Sequence, residues 1–416
     1  MIVFALRWLL LPMAGAAALF IAWTEHQTLR SLNWSELDTS LARLEARQPW
    51  GGLSGRALAA APDETLGLEP AAAEAVLAWQ LQRYPLDPSR WFSRALNAHA
   101  AGDCPERVLA FAQAARSVQP AHRALHWQAA LLAYELGDHD RAERALRDSL
   151  QDHPAGTRDA LVLAFEWRPD AAALVERILP AGEPHLLAAL NVARRYAWLD
   201  LAVQAWERLP QPRAGDDPGL LDFVDLALAE RQPEYAMYAW WQSFPDYDPG
   251  TVPNGDFQHT LGHGRGLHWR TRVPSGAAVT RDTVAYVTEP ASLRVDFDGR
   301  ENLRMSGLSL RIPMLAGPRA WVLSGYWRAD GLTTANLPYL WVSGGEGARA
   351  RIDLPAAAFD WAPFAIQIER ETSAEAGVLD LQVRRDPTRL DFDRFLAGQL
   401  WLDALRLEPV AATDAD

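Results

Sequence analysis

The sequence predicts a multidomain chain: an N-terminal transmembrane helix, an all-α solenoid of helical hairpins, and an all-β C-terminal domain. Three observations carry this. Residues 2–23 are apolar except for Arg7. A small pattern then recurs about 34 residues apart, first as Trp91, Gly102, Ala114 and Pro120, and again as Trp127, Gly137, Ala142 and Pro154. Beyond residues 245–253, rich in Pro, Asp and Gly, helical periodicity gives way to short runs that alternate with period two.

The apolar run of about 22 residues would extend roughly 33 Å as a helix, enough to cross a bilayer. A cleaved signal peptide is the competing reading, with Ala14-Gly15-Ala16 as its small-residue site. The run continues through Ala17, Leu19, Phe20, Ile21 and Trp23, beyond the usual length of a signal-peptide core, so an uncleaved anchor over 1–24 is expected. Arg7 precedes the span and Glu25 follows it, which places the N-terminus in the cytoplasm and the remaining chain outside. The location predicted is a bacterial inner membrane, crossed once, with the C-terminal domains periplasmic.

Residues 25–55 read as an amphipathic helix carrying Leu29, Leu32, Leu37, Leu41 and Leu44, then a linker broken by Gly51, Gly52 and Gly55. Helical repeats are expected over 56–245. In the better copy the first helix carries Trp127, Ala130, Leu131 and Tyr134. Gly137-Asp138 turns the chain, and Ala142 lets the second helix approach before Pro154 ends the unit. Trp198, Ala202, Trp206 and Pro210 repeat the scheme more weakly, as do Leu221, Val224, Tyr235 and Trp240. The Gly-Asp turn and closing proline resemble the tetratricopeptide repeat, and the resemblance implies a surface that holds a protein partner.

Composition narrows the function. Its 40 basic side chains are all arginine, which removes Schiff-base lysine chemistry and the phosphate-binding lysine of a P-loop. A net charge of -13 argues against nucleic acid as a partner, since phosphate binding needs a basic face. The single cysteine, Cys104, excludes an intrachain disulfide and cysteine-based zinc clusters.

Strands are expected over 292–297, 308–312, 321–327, 364–368, 379–383 and 400–407, which together mean a sandwich or barrel. Asn254-Gly255-Asp256-Phe257, Leu267-His268-Trp269, the 292–295 and 323–328 runs and the closing 400–407 run appear in the order found in carbohydrate-binding modules. Residues 252–410 resemble these modules, part of the wider galactose-binding-like fold; residues 411–416 form a tail. The resemblance implies a jelly-roll sandwich and a glycan as a possible partner. It also implies a structural calcium held by Asp256 and Asp403, although Gln258 stands where the family often has a glutamate. Both aspartates read equally as caps on strand-end turns. Trp327, Tyr339, Trp341 and Trp361 are the candidates for stacking on sugar rings, and each could instead fill the core.

Other patterns lead to no chemistry. His259, His263 and His268 lie among Gly262, Gly264 and Gly266 and read as solvated side chains of a flexible loop. His122 and His126 share a helix face, with His126 at a core position of the repeat. Asp296 with Asp298, and Asp391 with Asp393, have glycosidase-type composition but nothing places them in a cleft. The expectation is a non-catalytic, membrane-anchored scaffold or adaptor serving envelope or extracellular polysaccharide synthesis or export. The alternatives are a pure protein adaptor and a cryptic glycan-processing enzyme. If the anchor is retained, the protein fractionates with membranes and keeps Met1 or its neighbours; a mature N-terminus near Ala17 or Thr24 overturns it.

Overall fold

The computed structural model describes residues 70–248, 251–262, 264–314, 316, 320–344, 347–369 and 376–410. The predicted anchor, the amphipathic helix and linker, His263 and the 411–416 tail lie outside the described residues. No helix among the described residues is long and apolar enough to cross a membrane. The chain divides into two compact units between Gly156 and Thr157.

The first unit contains α1 (Pro70–Arg83), α2 (Pro88–Ala100), α3 (Pro105–Val118), α4 (Arg123–Glu135) and α5 (His139–Leu150). Asp87 caps α2 by accepting the Ser89 N–H at 3.1 Å, and Pro88 supplies a first helical residue whose missing N–H costs nothing there. Gly102 and Gly137 close the α2–α3 and α4–α5 hairpins at φ +76° and +79°, a region glycine enters without a Cβ penalty. In both turns the next aspartate N–H reaches back five residues, Asp103 to the Ala98 carbonyl and Asp138 to that of Ala133. Ala142 is fully buried, as a close helix crossing requires. In α3 the buried small residues are Ala112 and Ala115, while the predicted Ala114 is half-buried one step round the helix. Trp91 and Trp127 are half-buried, and Leu131, expected inside, is exposed because Leu125, Ala129 and Ala130 form the buried stripe. His126 is buried as expected, accepting from Arg116 Nε at Nδ1 (2.9 Å) and meeting the Pro120 carbonyl through Nε2 (2.6 Å). Pro120 and Pro154 lie just past the ends of α3 and α5.

The second unit opens with α6 (Thr157–Trp167) and α7 (Ala171–Ala173, continued by a π turn over Leu174–Ile178). It continues through α8 (Glu183–Tyr196), α9 (Leu199–Trp206), α10 (Pro218–Ala229) and α11 (Pro233–Ser243). Its hairpin turns repeat the backward bond without glycine: Trp198 N–H meets the Ala193 carbonyl and Gln232 N–H that of Ala227, with Ala197 and Arg231 each at φ +57°. Without glycine these hairpins are marked in the sequence by helical spacing and, in the second, by Gln232-Pro233, and the backbone makes the same closure.

Ten strands follow: β1 (Arg270–Thr271), β2 (Ala277–Asp282), β3 (Ser292–Asp298), β4 (Met305–Met314), β5 (Ala320–Asp330), β6 (Tyr339–Gly344), β7 (Arg349–Asp353), β8 (Phe359–Glu369), β9 (Gly377–Arg385) and β10 (Ala397–Pro409). They form two antiparallel sheets, ordered β1-β4-β9-β6-β7 and β2-β3-β10-β5-β8. The chain repeatedly switches sheets, so side chains of alternate residues from both meet in one core, with Leu308, Leu310, Leu340 and Leu381 from the first sheet and Leu323 and Leu402 from the second.

The predicted break at 245 does not separate compact units. α10 and α11 belong with the sandwich, because the glycine loop after Gln258 docks on them. Arg265 Nε donates to Asp225 Oδ2 at 2.9 Å and its Nη2 to Asp222 Oδ1 at 2.6 Å. Arg311 of β4 and the Gly266 N–H share Asp225 Oδ1. Gly266 sits at φ +59°, and a Cβ there would lie 2.7 Å from the Trp240 ring. His268, expected in solvent, is buried instead against Trp240 and Phe244, with Nε2 2.9 Å from the Gly215 carbonyl. His259 remains exposed. Asp225→Ala strands the Arg311 guanidinium, which has already lost part of its water, and leaves Arg265 with Asp222 alone. We expect it to cost about 1–3 kcal/mol, less than a fully buried pair because Asp225 retains some solvent contact. Hydrogen exchange should then report first loss of protection in α10 and the 262–270 loop, and unchanged protection there would refute the coupling.

Candidate functional site

Strand β6 lies between β7 and β9 and brings two of the candidate aromatics together. Leu340 and Val342 enter the core, so Tyr339, Trp341 and Ser343 face outward. On β9, Leu379, Leu381 and Val383 point inward, which leaves Asp380, Gln382 and Arg384 on the same outer face. β7 contributes Arg349, Arg351 and Asp353 beside them.

These side chains hold one another in place. The Tyr339 hydroxyl donates to Asp386 Oδ2 at 2.9 Å, and burial, followed by this bond, pushes the phenol above its ordinary range. The Arg351 guanidinium lies 3.8 Å from the Tyr339 ring centre while Nη2 pairs with Asp353 at 2.7 Å. Arg384 stands 5.1 Å from the Trp341 ring centre and donates through Nε to Gln382 Oε1 at 2.6 Å. Trp341 itself is half-buried. Burial lifts the Asp380 carboxyl, against the pull of Arg270 and Arg311. The face therefore offers the half-buried Trp341 ring, edged by planar donors and acceptors, whereas Tyr339, expected to stack on sugar, is buried under the Arg351 guanidinium.

The other candidates go elsewhere. Trp327 is a core residue, 4.9 Å from Phe364 and 6.2 Å from Phe359, which removes it from any binding surface. Trp361 is half-buried on β8, in the opposite sheet from Trp341. Asp256 borders a cavity of about 400 Å³ whose walls include Trp240, Phe244, His259 and His268.

Asp403 is fully buried at the bulge where β10 slips against β5. Its Oδ2 accepts the N–H groups of Val287 and Thr288 (2.9 Å for the latter), and its Oδ1 that of Ala404 at 2.6 Å. Burial lifts this carboxyl, and the backbone donors oppose the shift. Calcium needs several free oxygen ligands, and among the described residues no group of three or more His, Cys, Asp or Glu side chains could hold a metal. Both Asp403 oxygens accept backbone N–H groups, while Asp256 engages one oxygen, Oδ1, with the Gln258 N–H at 3.3 Å. Asp403 fastens the 283–290 loop to the last strand.

The acidic pairs have structural partners. Asp296 accepts from Arg294 and Gln399, and Asp393 accepts the N–H groups of Ala335 and Asn336. Asp298 turns the chain at Arg300, and Asp391 pairs with Arg394.

Sequence reasoning missed Arg351, Arg384, Gln382 and Asp380 as part of this face. The period-two pattern of 379–383 already put Asp380 and Gln382 on one side; the signal lacking was that β9 pairs with β6. No known protein family and no curated protein matches the chain. Among solved structures it is similar to an arabinose-bound α-L-arabinofuranosidase, MgGH51, at 13% identity over 39% of this chain and 26% of that one (TM-score 0.27). It is also similar to the CBM22-1 xylan-binding domain of Paenibacillus barcinonensis Xyn10C (14% identity, 40% and 99% covered, TM-score 0.24). A third is TmCBM61 in complex with β-1,4-galactotriose (11% identity, 39% and 99% covered, TM-score 0.28). This chain thus spans about a quarter of the arabinofuranosidase's length. Likenesses this low in TM-score decide neither the fold nor the ligand of this chain.

If Asp403 is a fastening and not a ligand, EDTA leaves the melting temperature unchanged, and a calcium-dependent rise would show otherwise. Because its folded carboxyl binds a proton more tightly than the unfolded one, Asp403 favours folding at low pH. That contribution is lost as pH rises through the folded value. Asp403→Asn should flatten this part of the stability profile above about pH 4, measured by urea titration.

Proposed function

We propose that the outer face of the β1-β4-β9-β6-β7 sheet binds a glycan and that the chain is a non-catalytic scaffold. The observation that carries this reading is Trp341, half-buried on the outer face of β6 and flanked by Arg351, Arg384 and Gln382, with buried Tyr339 holding Arg351 in place. Stacking of a sugar ring on Trp341 would leave its hydroxyl edges to the flanking guanidinium and amide groups. Asp296 and Asp393 each hold two donors of the fold, a structural role that supports a binding reading over hydrolysis.

In this reading the helical hairpins of the first unit hold a protein partner. The apolar run at 2–23 tethers the chain to the inner membrane, with the rest in the periplasm, where it serves synthesis or export of an envelope or extracellular polysaccharide. The reading depends first on the sugar face. Trp341→Ala should weaken binding to a polysaccharide on the order of tenfold, about 1.4 kcal/mol, with the melting temperature held. Trp361→Ala, on the opposite sheet, should leave affinity intact. Affinity electrophoresis against a panel of soluble polysaccharides checks this; equal loss in both variants, or retardation by none, removes the reading.

A further inference from the structure

We infer that the ligand of this face is a carboxylated polysaccharide, a polyuronate, in preference to a neutral one; the inference rests on the glycan reading above. The chain carries a net charge of -13, yet arginines gather on this face. Arg270, Arg311, Arg349, Arg351 and Arg384 project from it. Two of the five are matched locally: Arg311 by Asp225 and Arg351 by Asp353.

The remaining three have no such match. Arg384 bonds to the Gln382 amide and Arg270 to the Gly264 carbonyl, neither of which carries charge. Arg349 is exposed and makes no ion pair among the described residues. Two further carboxylates belong to the face. Asp380 lies opposite Arg311 across the β4–β9 pair and feels Arg270 and Arg311 without a direct ion pair among the described residues. Asp386 accepts the Tyr339 hydroxyl and acts on Arg351. Burial and the nearby Arg311 hold the Arg270 guanidinium below its ordinary value, with Asp225 and Asp380 pulling the other way. Arg349 and Arg384, without a carboxylate of their own in a direct pair among the described residues, are the guanidiniums left to meet an external anion.

Strand register places these groups around the aromatic centre. Arg270, Ser309, Gln382, Trp341 and Arg351 follow one another across β1, β4, β9, β6 and β7. With neighbouring strands about 4.8 Å apart, Arg270 lies ~14 Å from Trp341 on one side. Arg349 lies on the other side, and Arg384 at the ring itself. A polymer running across the strands would set one sugar on Trp341 and present carboxylates of successive sugars to guanidiniums on both flanks. Guanidinium forks grip carboxylates through paired N–H bonds, a geometry that sugar hydroxyls do not reproduce.

The test uses the full chain in affinity electrophoresis and calorimetry with four probes: polygalacturonate, its fully methyl-esterified form, neutral galactan and poly-glutamate. Methyl esterification removes the charge and keeps the sugar backbone. Polygalacturonate should bind at least tenfold tighter than its methyl ester, and Arg384→Gln or Arg349→Gln should erase most of that difference at unchanged melting temperature. Arg349 is exposed, so its variant keeps the test valid if Arg384→Gln fails to fold. Equal affinity for polygalacturonate and its ester, or tighter binding of galactan, overturns the charge preference and leaves the glycan reading standing. Binding to none of the carbohydrates overturns both. Poly-glutamate binding as tightly as polygalacturonate, with Trp341→Ala without effect, would reduce the face to a plain anion patch and overturn both as well.

Discussion

Asp225 is the contact on which the second unit depends. It projects from α10 and accepts Arg265 and Gly266 from the loop before β1, and Arg311 from β4. One carboxylate thus ties a helix, a loop and a strand that are far apart in sequence. Truncating such a group leaves charges without partners, so the junction is held by electrostatics as well as by the packing of Trp240 on Gly266 and His268. It also fixes Arg311 on β4, at one side of the outer face where the proposed ligand lies.

That face shows how a sheet divides its labour. Every second residue of β4, β6 and β9 fills the core, and the residues between are free to carry other chemistry. The inward set decides whether the sandwich forms. The outward set packs less tightly, and here it holds Trp341, an amide and several guanidinium groups, with Tyr339 buried under one of them. At the end of the same sheet, Arg385 is fully buried and spends its donors on the carbonyls of Leu303, Asn336, Asp393 and Arg394. Burial lowers that guanidinium below its ordinary value, and the four carbonyls satisfy donors that would otherwise be stranded. The adjacent arginine on the strand, Arg384, faces outward to Trp341. Two neighbouring residues of one type thus serve opposite purposes, set by strand alternation.

The sequence alone determined what rests on local chemistry. Gly102 and Gly137 marked hairpin turns because only a residue without a Cβ enters φ near +76° freely. Alternation at 292–297 and 379–383 marked strands, and the apolar positions within them marked the core. Ala142 and His126 were placed inside correctly because helical spacing fixes which face is buried. Where glycine was replaced, at Ala197 and Arg231, the turns persisted, and helical spacing still marked the hairpins.

Only the tertiary structure decided how these pieces combine. Trp327 and Trp341 have the same composition and lie in similar strands, yet one is core and the other half-exposed, because which face turns inward depends on the partner sheet. Asp403 read as a calcium ligand or a turn cap, and the contact it makes, to the loop bearing Val287 and Thr288, lies more than a hundred residues away in sequence. The glycine loop at 262–268 read as solvated, and α10 buried it through Asp225. In each case the deciding partner is distant in sequence. Local periodicity specifies a residue's direction within its own element, and long-range pairing specifies what it meets there.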